Sequence, residues 1–440
     1  MTKSLKTYYV RTYGCQMNEL DSEVMMGILE KRGLKQIQDE KEADLLIFNT
    51  CSIRDLAERK VMGKLGQLGR SAKMRERVIG VTGCMANAKK ETLLRKLPHI
   101  DFVLGTNNIH DLDCVLNEIQ ESRQQSVRTE DQFSQELDYT VAKRLDKYKA
   151  YVSIIRGCDK YCTYCVVPYT RGKEVSRGLD SIVDECRQLV NKGYKEITLL
   201  GQNVNSYGKD QPEWQVRFCD LLYQLDKIAG LGRVRFLTSH PVDITKELMQ
   251  AIGTLDSLCE HVHFPLQAGS SRILKKMHRI YTKEQYFEKV AMLREYAPNV
   301  TLGTDMIVGF PTETEEEFME TYRAMEEIEY GNAFLYTYSP RQNTPAKRWL
   351  DDVPHEVKQD RHKRLLALHN RIAGKLMQQM LGTKVEVLVE RRSKDQKYLK
   401  GVTRCWRNVI FEGPDHLIGT LVTIELHSYS HHTLIGKVAV

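Results

Sequence analysis

The sequence contains no long apolar run and no apolar leader. None of its hydrophobic stretches approaches the roughly 18 residues that a membrane-spanning helix needs. The opening stretch MTKSLKTYYVRTYGCQ lacks an apolar core followed by small residues, so a secretion signal is not expected. Low-complexity tracts and clean internal repeats are also missing. We therefore expect a cytoplasmic globular chain, and 440 residues suggest about three domains of ordinary size.

Two common catalytic signatures are absent as well. The sequence has neither a G-x-x-x-x-G-K-[ST] phosphate loop nor a Ser/His/Asp hydrolase signature. Its eleven cysteines are an odd number, and disulfides are rare in the cytoplasm. This cysteine content favours metal or redox chemistry over a disulfide framework.

Positive charge is concentrated at the C-terminal end. Residues 355–440 contain 15 lysines and arginines against 8 aspartates and glutamates, so this stretch carries the whole formal net charge of +7. A polyanionic partner such as RNA would be attracted there. A solvated helix face followed by a basic small domain would produce the same pattern.

The first 120 residues alternate strand-like runs with helical patterns, which predicts a parallel α/β sheet. Strands are predicted at TYYVRTYG, ADLLIFNT, RVIGVTG and DFVLGT, and helices at NELDSEVMMGILEKRG and IHDLDCVLNEIQ. The following residues are polar and lose this rhythm. We therefore place an N-terminal domain at 1–122 and a linker at 123–145.

A second alternation predicts six βα units, and hence a barrel or partial barrel over 146–376. Its strands are predicted at 151–155, 196–201, 233–238, 261–266, 301–310 and 333–338, with helices at 178–192, 216–229, 282–296 and 313–328. A basic helix at 355–380 leads to the short runs KVEVLVE, RNVIFEG, LVTIELHS and LIGKVAV. These runs predict a small antiparallel barrel of OB-like size at 377–440.

The stretch RGCDKYCTYC carries three closely spaced cysteines just past the first barrel strand. Cys158, Cys162 and Cys165 follow the spacing C-x3-C-x2-C. Three thiolates on one short loop can hold an iron–sulfur cubane, leaving one iron open to a substrate or cofactor. A zinc knuckle is the alternative, but structural zinc sites need four ligands and no further cysteine or histidine stands nearby.

This motif resembles that of the radical S-adenosylmethionine (SAM) enzymes. In that family the three cysteines hold a [4Fe-4S] cluster and SAM chelates its fourth iron. An aromatic residue before the last cysteine belongs to the pattern, and Tyr164 occupies that position. The resemblance implies a partial (β/α)6 barrel over about residues 145–375.

Three further cysteines, Cys15, Cys51 and Cys84, each follow a predicted strand. In a parallel sheet they would share one edge, which is where open α/β sheets bind ligands. They are either ligands of a second cluster or ordinary buried cysteines. The cysteines in helical or strand-flanking patterns are predicted to pack in cores: Cys114, Cys186, Cys219 and Cys259.

A three-cysteine N-terminal domain, a radical-SAM barrel and a small β-barrel tail together resemble the radical-SAM methylthiotransferases over essentially the whole chain. The resemblance implies that both triads hold [4Fe-4S] clusters and that the tail is a TRAM domain, which binds RNA. The stretch GCQMNELDSE resembles the version in members that act on N6-isopentenyladenosine of tRNA, through Gln16, Met17 and Asn18. The alternative substrates are a ribosomal protein side chain and threonylcarbamoyladenosine in tRNA. An RNA-binding iron–sulfur electron carrier is the alternative from another class.

The function implied by this resemblance is methylthiolation of carbon 2 of N6-isopentenyladenosine at position 37 of tRNA. That C–H bond is unactivated, so the chemistry must come from the cofactor. In the family scheme, one SAM methylates a sulfur held at the first triad. A second SAM is cleaved at the Cys158 triad to a 5′-deoxyadenosyl radical. The implied partners are tRNA, a reduced flavodoxin- or ferredoxin-type electron donor and a sulfur donor, and we expect a monomer.

Polar residues just past the barrel strands are the candidate SAM contacts, although a structural role such as helix capping is the alternative for each. Together with Tyr164, the set is Gln202, Asn203, Ser239, Gln267, Asp305 and Val308. The candidate RNA contacts combine positive charge with an aromatic ring. They are Arg171, Arg404, Trp406 and Arg407, and Arg171 is also a candidate for SAM's carboxylate. His261, His263 and Phe411 are predicted to be structural.

Overall fold

The computed structural model describes residues 5–52, 55–70, 76–122, 124–129 and 143–439. The chain divides into two compact units. The first comprises Met1–Leu145, Arg156–Val175 and Arg341–Lys347, and the second comprises Asp146–Ile155, Ser176–Pro340 and Arg348–Val440. We call them the cysteine unit, which contains both cysteine triads, and the barrel unit. Within the described residues, no helix is long and apolar enough to cross a membrane.

The cysteine unit is built on a six-stranded parallel sheet. Its strands are β1 (Thr7–Thr12), β2 (Lys35–Gln36), β3 (Leu45–Thr50), β4 (Val78–Gly83), β5 (Phe102–Leu104) and β6 (Ser126–Arg128). Their order is β2-β1-β3-β4-β5-β6. The helices are α1 (Gln16–Lys31), α2 (Asp55–Leu68), α3 (Cys84–Lys89), α4 (Glu91–Lys96), α5 (Leu112–Ser122) and α6 (Val167–Thr170). The parallel sheet predicted from the alternating pattern is confirmed.

The two faces of this sheet bury separate apolar cores. Successive side chains of β3 point to opposite faces, so Leu45 and Ile47 enter one core while Leu46 and Phe48 enter the other. Every residue of β3 is buried. A strand covered on both faces reads as a continuous apolar run, which is why this strand is easy to recognise in the sequence.

Two details of this unit differ from the sequence-based expectations. Residues 126–128, placed in the linker from their polar surroundings, pair with β5 as the edge strand β6. Most of the predicted linker, 130–142, lies outside the described residues. The prediction that Cys114 is a core residue is wrong, because its thiol is exposed. The inward face of α5 is taken by Leu112, Val115 and Leu116, and Cys114 lies off that face.

The barrel unit contains six parallel strands in two sheets. They are β7 (Lys149–Ser153), β10 (Glu196–Leu200), β11 (Arg233–Phe236), β12 (His261–His263), β13 (Thr301–Val308) and β14 (Asn332–Thr337), and the sheet orders are β7-β10-β11 and β12-β13-β14. A parallel bridge between Val234 and Leu258 connects the two sheets. Two short strands, β8 (Ile155–Arg156) and β9 (Val175–Ser176), form a separate sheet. The partial (β/α)6 barrel is confirmed.

The helices of this unit lie between the strands as expected. They are α7 (Leu179–Asn191), α8 (Phe218–Asp226), α9 (Lys246–Thr254), α10 (Ser271–Lys276), α11 (Lys283–Tyr296), α12 (Glu315–Ile328) and α13 (His355–Gln379). Reciprocal caps begin α11 and α12, where Thr282 and Thr314 accept from backbone N–H groups that the helix itself leaves without partners. The short helices α9 and α10 were not predicted.

The tail forms a closed barrel of five strands. They are β15 (Lys384–Arg392), β16 (Leu399–Thr403), β17 (Asn408–Phe411), β18 (Leu421–Ser430) and β19 (Thr433–Val438), in the order β15-β16-β17-β19-β18. The pair β17–β19 is parallel, unlike the others, because β18 crosses to pair with β15 and β19 returns beside β17. Phe411 is fully buried in the barrel core, as the structural alternative expected.

Two glycines of the barrel unit provide a test of packing. A Cβ on Gly401 in β16 would lie 2.3 Å from the Leu388 carbonyl oxygen, whereas a Cβ on Gly374 in α13 would have no neighbour closer than 3.9 Å. Gly401→Ala should lower the free energy of unfolding by about 2 kcal/mol through overpacking. Gly374→Ala should raise it by about 1 kcal/mol, because alanine favours helix. Urea denaturation followed by circular dichroism measures both, and an unchanged G401A midpoint would contradict the packing argument.

Candidate functional site

The first cysteine triad lies at the carboxyl ends of three neighbouring strands. Thr12 of β1 pairs with Asn49 of β3, and Thr50 of β3 pairs with Gly83 of β4. Because these strands are parallel and in register, the cysteines that follow them, Cys15, Cys51 and Cys84, reach one edge of the sheet. Cys51 and Cys84 are each 1% exposed, and Cys15 is half-buried.

An asparagine pair ties the first cysteine to the neighbouring strand. The Cys15 thiol donates to Asn18 Oδ1 at 3.4 Å. Asn18 Nδ2 donates to Asn49 Oδ1 and to the Thr50 carbonyl oxygen, both at 3.0 Å, and Asn49 Nδ2 donates back to the Asn18 carbonyl oxygen at 2.8 Å. Asn18, which the sequence associates with substrate identity, is therefore part of the frame that positions Cys15 beside Cys51.

Glycines bring the backbones of the triad together. Gly14 and Gly83, each directly before a triad cysteine, have φ of +143° and +90°. A Cβ on Gly14 would lie 2.9 Å from Cys51 Cβ, and one on Gly83 would lie 2.3 Å from the Thr50 carbonyl oxygen. Only glycine combines this conformation with so close an approach. The repeated Gly–Cys pair is thus a packing requirement of the site.

The second triad occupies the loop between β8 and α6. The Cys165 N–H donates to the Cys162 carbonyl oxygen at 3.0 Å, and the Cys158 N–H donates to the Gly172 carbonyl oxygen at 3.1 Å. Burial raises the pKa of the Cys158 thiol, and the neighbouring thiols of Cys165 and Cys162 raise it further. The loop therefore brings the thiols of Cys162 and Cys165 within electrostatic range of the Cys158 thiol.

The donor set of each triad is three cysteine thiols, whose chemistry is compatible with an iron–sulfur cluster. Within the described residues, no three His, Cys, Asp or Glu side chains are arranged to hold one metal ion. Thiolates are also the soft ligands that iron–sulfur clusters select.

Arg171 is buried in the cysteine unit, and its charge acts on Cys15 of the first triad. It is 4% exposed, and its Nη2 pairs with Asp21 Oδ2 at 2.8 Å. Burial raises the pKa of Cys15, with Arg171 opposing and Cys84 reinforcing the shift. Arg171 was a candidate for contact with SAM or RNA, and that stays a prediction; in the structure it pairs with a buried carboxylate, and the charges of Cys84, Asp21 and Cys15 raise its pKa well above its usual range.

Three of the candidate SAM contacts come together in the barrel unit around His263. Ser239 Oγ donates to the His263 carbonyl oxygen, His263 Nε2 lies 2.8 Å from Asp305 Oδ2, and the Gln267 N–H donates to the Asp305 carbonyl oxygen at 2.9 Å. Ser239 and Gln267 follow the ends of β11 and β12, His263 is the last residue of β12, and Asp305 lies within β13. The arrangement presents a half-exposed carboxylate beside an imidazole, which can receive a cationic or N–H-bearing group.

The remaining SAM candidates have different surroundings. Asn203 Nδ2 donates to Asp243 Oδ2 at 2.7 Å, Val308 is 1% exposed, and Gln202 is half-buried. Tyr164, also half-buried, belongs to the cysteine unit. SAM contacts by these residues stay predictions.

Two further residues belong to this cluster of Ser239, Gln267 and Asp305. His263 was predicted to be structural, which stays a prediction, and Phe334 was not singled out from the sequence. Phe334 on β14 is 50% exposed, and its ring lies edge-on to His263 with centroids 5.9 Å apart. The sequence signal for this cluster was the alternation of His261 and His263 along β12, because alternate residues of a strand lie on the same face of the sheet.

The candidate RNA contacts of the tail face the barrel strands. Arg404 forms a two-nitrogen ion pair with Glu260, both contacts being 2.9 Å. Trp406 lies under the Arg235 guanidinium at 4.9 Å and against the His261 ring at 5.2 Å, and Arg407 is buried. These side chains hold the tail barrel to the (β/α)6 strands, and RNA contact by them stays a prediction.

Two family profiles match this chain, and each match covers one of the two cysteine triads. Residues 7–105 match the profile of the Uncharacterized protein family UPF0004, and residues 152–325 match the Radical SAM superfamily. The first stretch contains Cys15, Cys51 and Cys84, and the second contains the C-x3-C-x2-C loop.

Solved structures with a similar fold are radical-SAM enzymes. The methyltransferase TsrM from Kitasatospora setae, with cobalamin and a [4Fe-4S] cluster bound, has a TM-score of 0.57 at 14% identity, over 78% of this chain and 77% of its own. The cobalamin-dependent enzyme OxsB has a TM-score of 0.53 at 13% identity, over 84% of this chain and 56% of its own. At this identity the likeness concerns the fold alone.

Much more similar relatives share one name, tRNA-2-methylthio-N(6)-dimethylallyladenosine synthase. The protein from Protochlamydia amoebophila is 70% identical over 435 residues, covering 99% of this chain and 96% of its own. Those from Clostridium botulinum (strain Loch Maree) and Geobacillus kaustophilus are each 45% identical over 98% of this chain, and over 96% and 82% of their own lengths. The resemblance seen in the sequence is confirmed, and the chain belongs to the tRNA-2-methylthio-N(6)-dimethylallyladenosine synthase family of radical-SAM enzymes.

Proposed function

We propose that this chain replaces the hydrogen on carbon 2 of N6-isopentenyladenosine at position 37 of tRNA with a methylthio group. Isopentenyl and dimethylallyl name the same substituent, which the shared name of the relatives specifies. That name favours this substrate over a ribosomal protein side chain and over threonylcarbamoyladenosine. SAM and a [4Fe-4S] cluster are the cofactors of the radical-SAM region.

The observation that carries the proposal is that both triads belong to one compact unit, although 73 residues separate Cys84 from Cys158 in numbering. Hydrogen removal and sulfur addition act on the same carbon atom, so the groups responsible must be close together. We assign Cys158, Cys162 and Cys165 to the SAM-binding cluster and the first triad to a second [4Fe-4S] cluster. The chemistry that these groups supply when bound is a carbon-centred radical from SAM and a methylated sulfur.

Residues of this chain position the thiols of the first triad and keep water away from them. Asn18 and the two triad glycines determine where the first three thiols stand, and a reactive site needs such support to keep its geometry. Burial of Cys51 and Cys84 excludes water from the sulfur-bearing side. The basic C-terminal stretch provides attraction for the tRNA backbone. The proposed protein is a cytoplasmic monomer. It receives electrons from a flavodoxin- or ferredoxin-type donor and sulfur from a sulfur donor.

The reaction class is tested with anaerobically reconstituted protein, reductant, SAM and tRNA. We expect 5′-deoxyadenosine together with 2-methylthio-N6-isopentenyladenosine, and at least tenfold less methylthio product on tRNA that lacks the isopentenyl group, the order that a missing recognition contact costs. Liquid chromatography with mass spectrometry of digested tRNA measures both products. Absence of 5′-deoxyadenosine would favour the electron-carrier alternative, and methylthio product on ribosomal protein alone would favour the protein substrate.

The second cluster is tested by iron content. Reconstituted protein should hold about eight irons per chain and Cys15→Ala about four, because one of two cubanes is lost. Cys114→Ala is the matched control, since that thiol is exposed and belongs to neither triad; it should keep about eight. An iron content in C15A equal to that of C114A would remove the second cluster from the proposal.

The close approach of the backbone at the first triad is tested by substituting two glycines that both have a positive φ. Gly83 has φ +90° and a Cβ there would meet the Thr50 carbonyl, whereas Gly33 has φ +87° and no atom within 4 Å of a Cβ. The conformational cost of alanine, about 1–3 kcal/mol, is common to both. Gly83→Ala should therefore lower iron toward the C15A level while Gly33→Ala retains it. Equal iron in the two variants would show that the close approach at Gly83 is not needed.

A further inference from the structure

The hairpin formed by β15 and β16 concentrates positive charge at its tip. Residues 391–400, which we call the basic hairpin, contain five of the 15 lysines and arginines of the stretch 355–440 and a single acid, Asp395. The five cations are Arg391, Arg392, Lys394, Lys397 and Lys400.

The one acid of the basic hairpin helps to build its turn. Asp395 Oδ1 accepts from Ser393 Oγ and from the Lys397 N–H. The Ser393 N–H donates to the Tyr398 carbonyl oxygen at 2.8 Å, and the Tyr398 N–H donates to Ser393 Oγ at 3.0 Å. These bonds define one shape for the turn, and they engage the carboxylate with donors of the turn itself.

Most cations of the basic hairpin have no acidic partner. Arg392 pairs with Asp415 Oδ1 at 2.6 Å. The other four form no ion pair with any residue that the structure describes. Three of these four are exposed and Lys400 is half-buried. The tip therefore presents positive charge that the protein itself does not neutralise.

Two of these cations lie directly opposite each other. Arg391 of β15 and Lys400 of β16 are partners in the strand register, next to a β-bulge between Val389 and Arg391. Like charges in opposite positions of a strand pair destabilise the pair. Folding alone gives no reason for this arrangement, whereas an anionic partner would convert the repulsion into attraction. Local conflicts of this kind are expected at functional surfaces.

The strand that leads into the basic hairpin is fixed to the (β/α)6 strands. Glu390 pairs with Lys149 Nζ, at the start of β7, at 2.6 Å. Glu386 Oε1 pairs with the fully buried Arg233 of β11 at 2.9 Å. The cations of the tip are therefore carried by an anchored strand, and a binding surface that is already ordered loses less entropy when its partner arrives.

We propose that the basic hairpin binds the phosphate backbone of tRNA through Arg391, Lys394, Lys397 and Lys400. Lysine and arginine are the usual partners of backbone phosphates. The inference rests on the proposed function, which supplies tRNA as the polyanion. It adds a surface that the RNA contacts predicted from the sequence did not include. Because phosphates carry no base identity, the hairpin positions the tRNA and does not select the isopentenyl group.

The test is binding of tRNA to the reconstituted full-length enzyme over a range of salt concentrations, measured by fluorescence anisotropy. Each lost phosphate contact reduces the slope of log K against log salt concentration by about one. Lys394→Gln/Lys397→Gln should therefore reduce the slope by about two and weaken binding of isopentenylated and unmodified tRNA by the same factor. It should raise KM for tRNA and leave kcat unchanged, because uniform binding is lost.

Arg371→Gln/Lys375→Gln is the matched control, because it changes the net charge by the same amount. These two cations of α13 have side chains 66% and 54% exposed, and they pair with Glu326 and Glu329 at 2.7 and 2.5 Å. The control should keep the wild-type slope. Equal changes of slope in the two double variants would show a general effect of net charge and overturn the proposal, and so would an unchanged slope in K394Q/K397Q.

Arg391→Gln separates binding from folding. It removes the repulsion with Lys400, so the urea midpoint should not fall, while tRNA binding should weaken. A lower midpoint with unchanged binding would assign Arg391 to the fold of the hairpin and contradict the proposal. Absence of methylthio product from the wild-type enzyme would instead overturn the proposed function, and the binding comparison would still decide the role of the hairpin.

Discussion

Parallel pairing of β1, β3 and β4 is the constraint on which the site depends. The first triad draws its cysteines from positions spread over about 70 residues, and no local element can gather them. Register in a parallel sheet does so, because the carboxyl ends of neighbouring strands meet at one edge. Gly14, Gly83 and the Asn18–Asn49 pair then bring those ends into contact.

The two triads represent two ways of collecting thiols. Cys158, Cys162 and Cys165 are close together simply because they are only a few residues apart in one loop. The first triad needs the whole sheet. The pair of Arg171 and Asp21 connects these solutions, since one residue follows the loop and the other follows Cys15 in the helix beyond β1. A single unit thereby contains both groups of thiols together with the buried charges that act on them.

In the barrel unit, buried arginines serve packing between the tail and the strands. Arg233 is fully buried, donating to the Val402 carbonyl oxygen at 2.8 Å and to the Glu386 carbonyl oxygen at 3.0 Å. Arg235 donates to the carbonyl oxygens of Thr403 and Arg404 at 2.7 and 2.6 Å. Part of the basic character of this protein is therefore internal. A residue's charge in the sequence does not reveal whether it meets solvent, RNA or a backbone carbonyl.

The sequence by itself determined the three-part architecture, the positions of the long strands and helices, and the cysteines to examine. These features depend on periodicity and spacing, which are local properties of the chain. Only the tertiary structure decided that β17 and β19 pair in parallel, that Cys114 is exposed, and that Arg171 forms a buried ion pair with Asp21. It also showed that Asn18, one of the residues that pointed to the substrate, hydrogen-bonds to Cys15 and to the neighbouring strand. Contacts between residues distant in sequence depend on register and on how elements pack, and no local pattern encodes them.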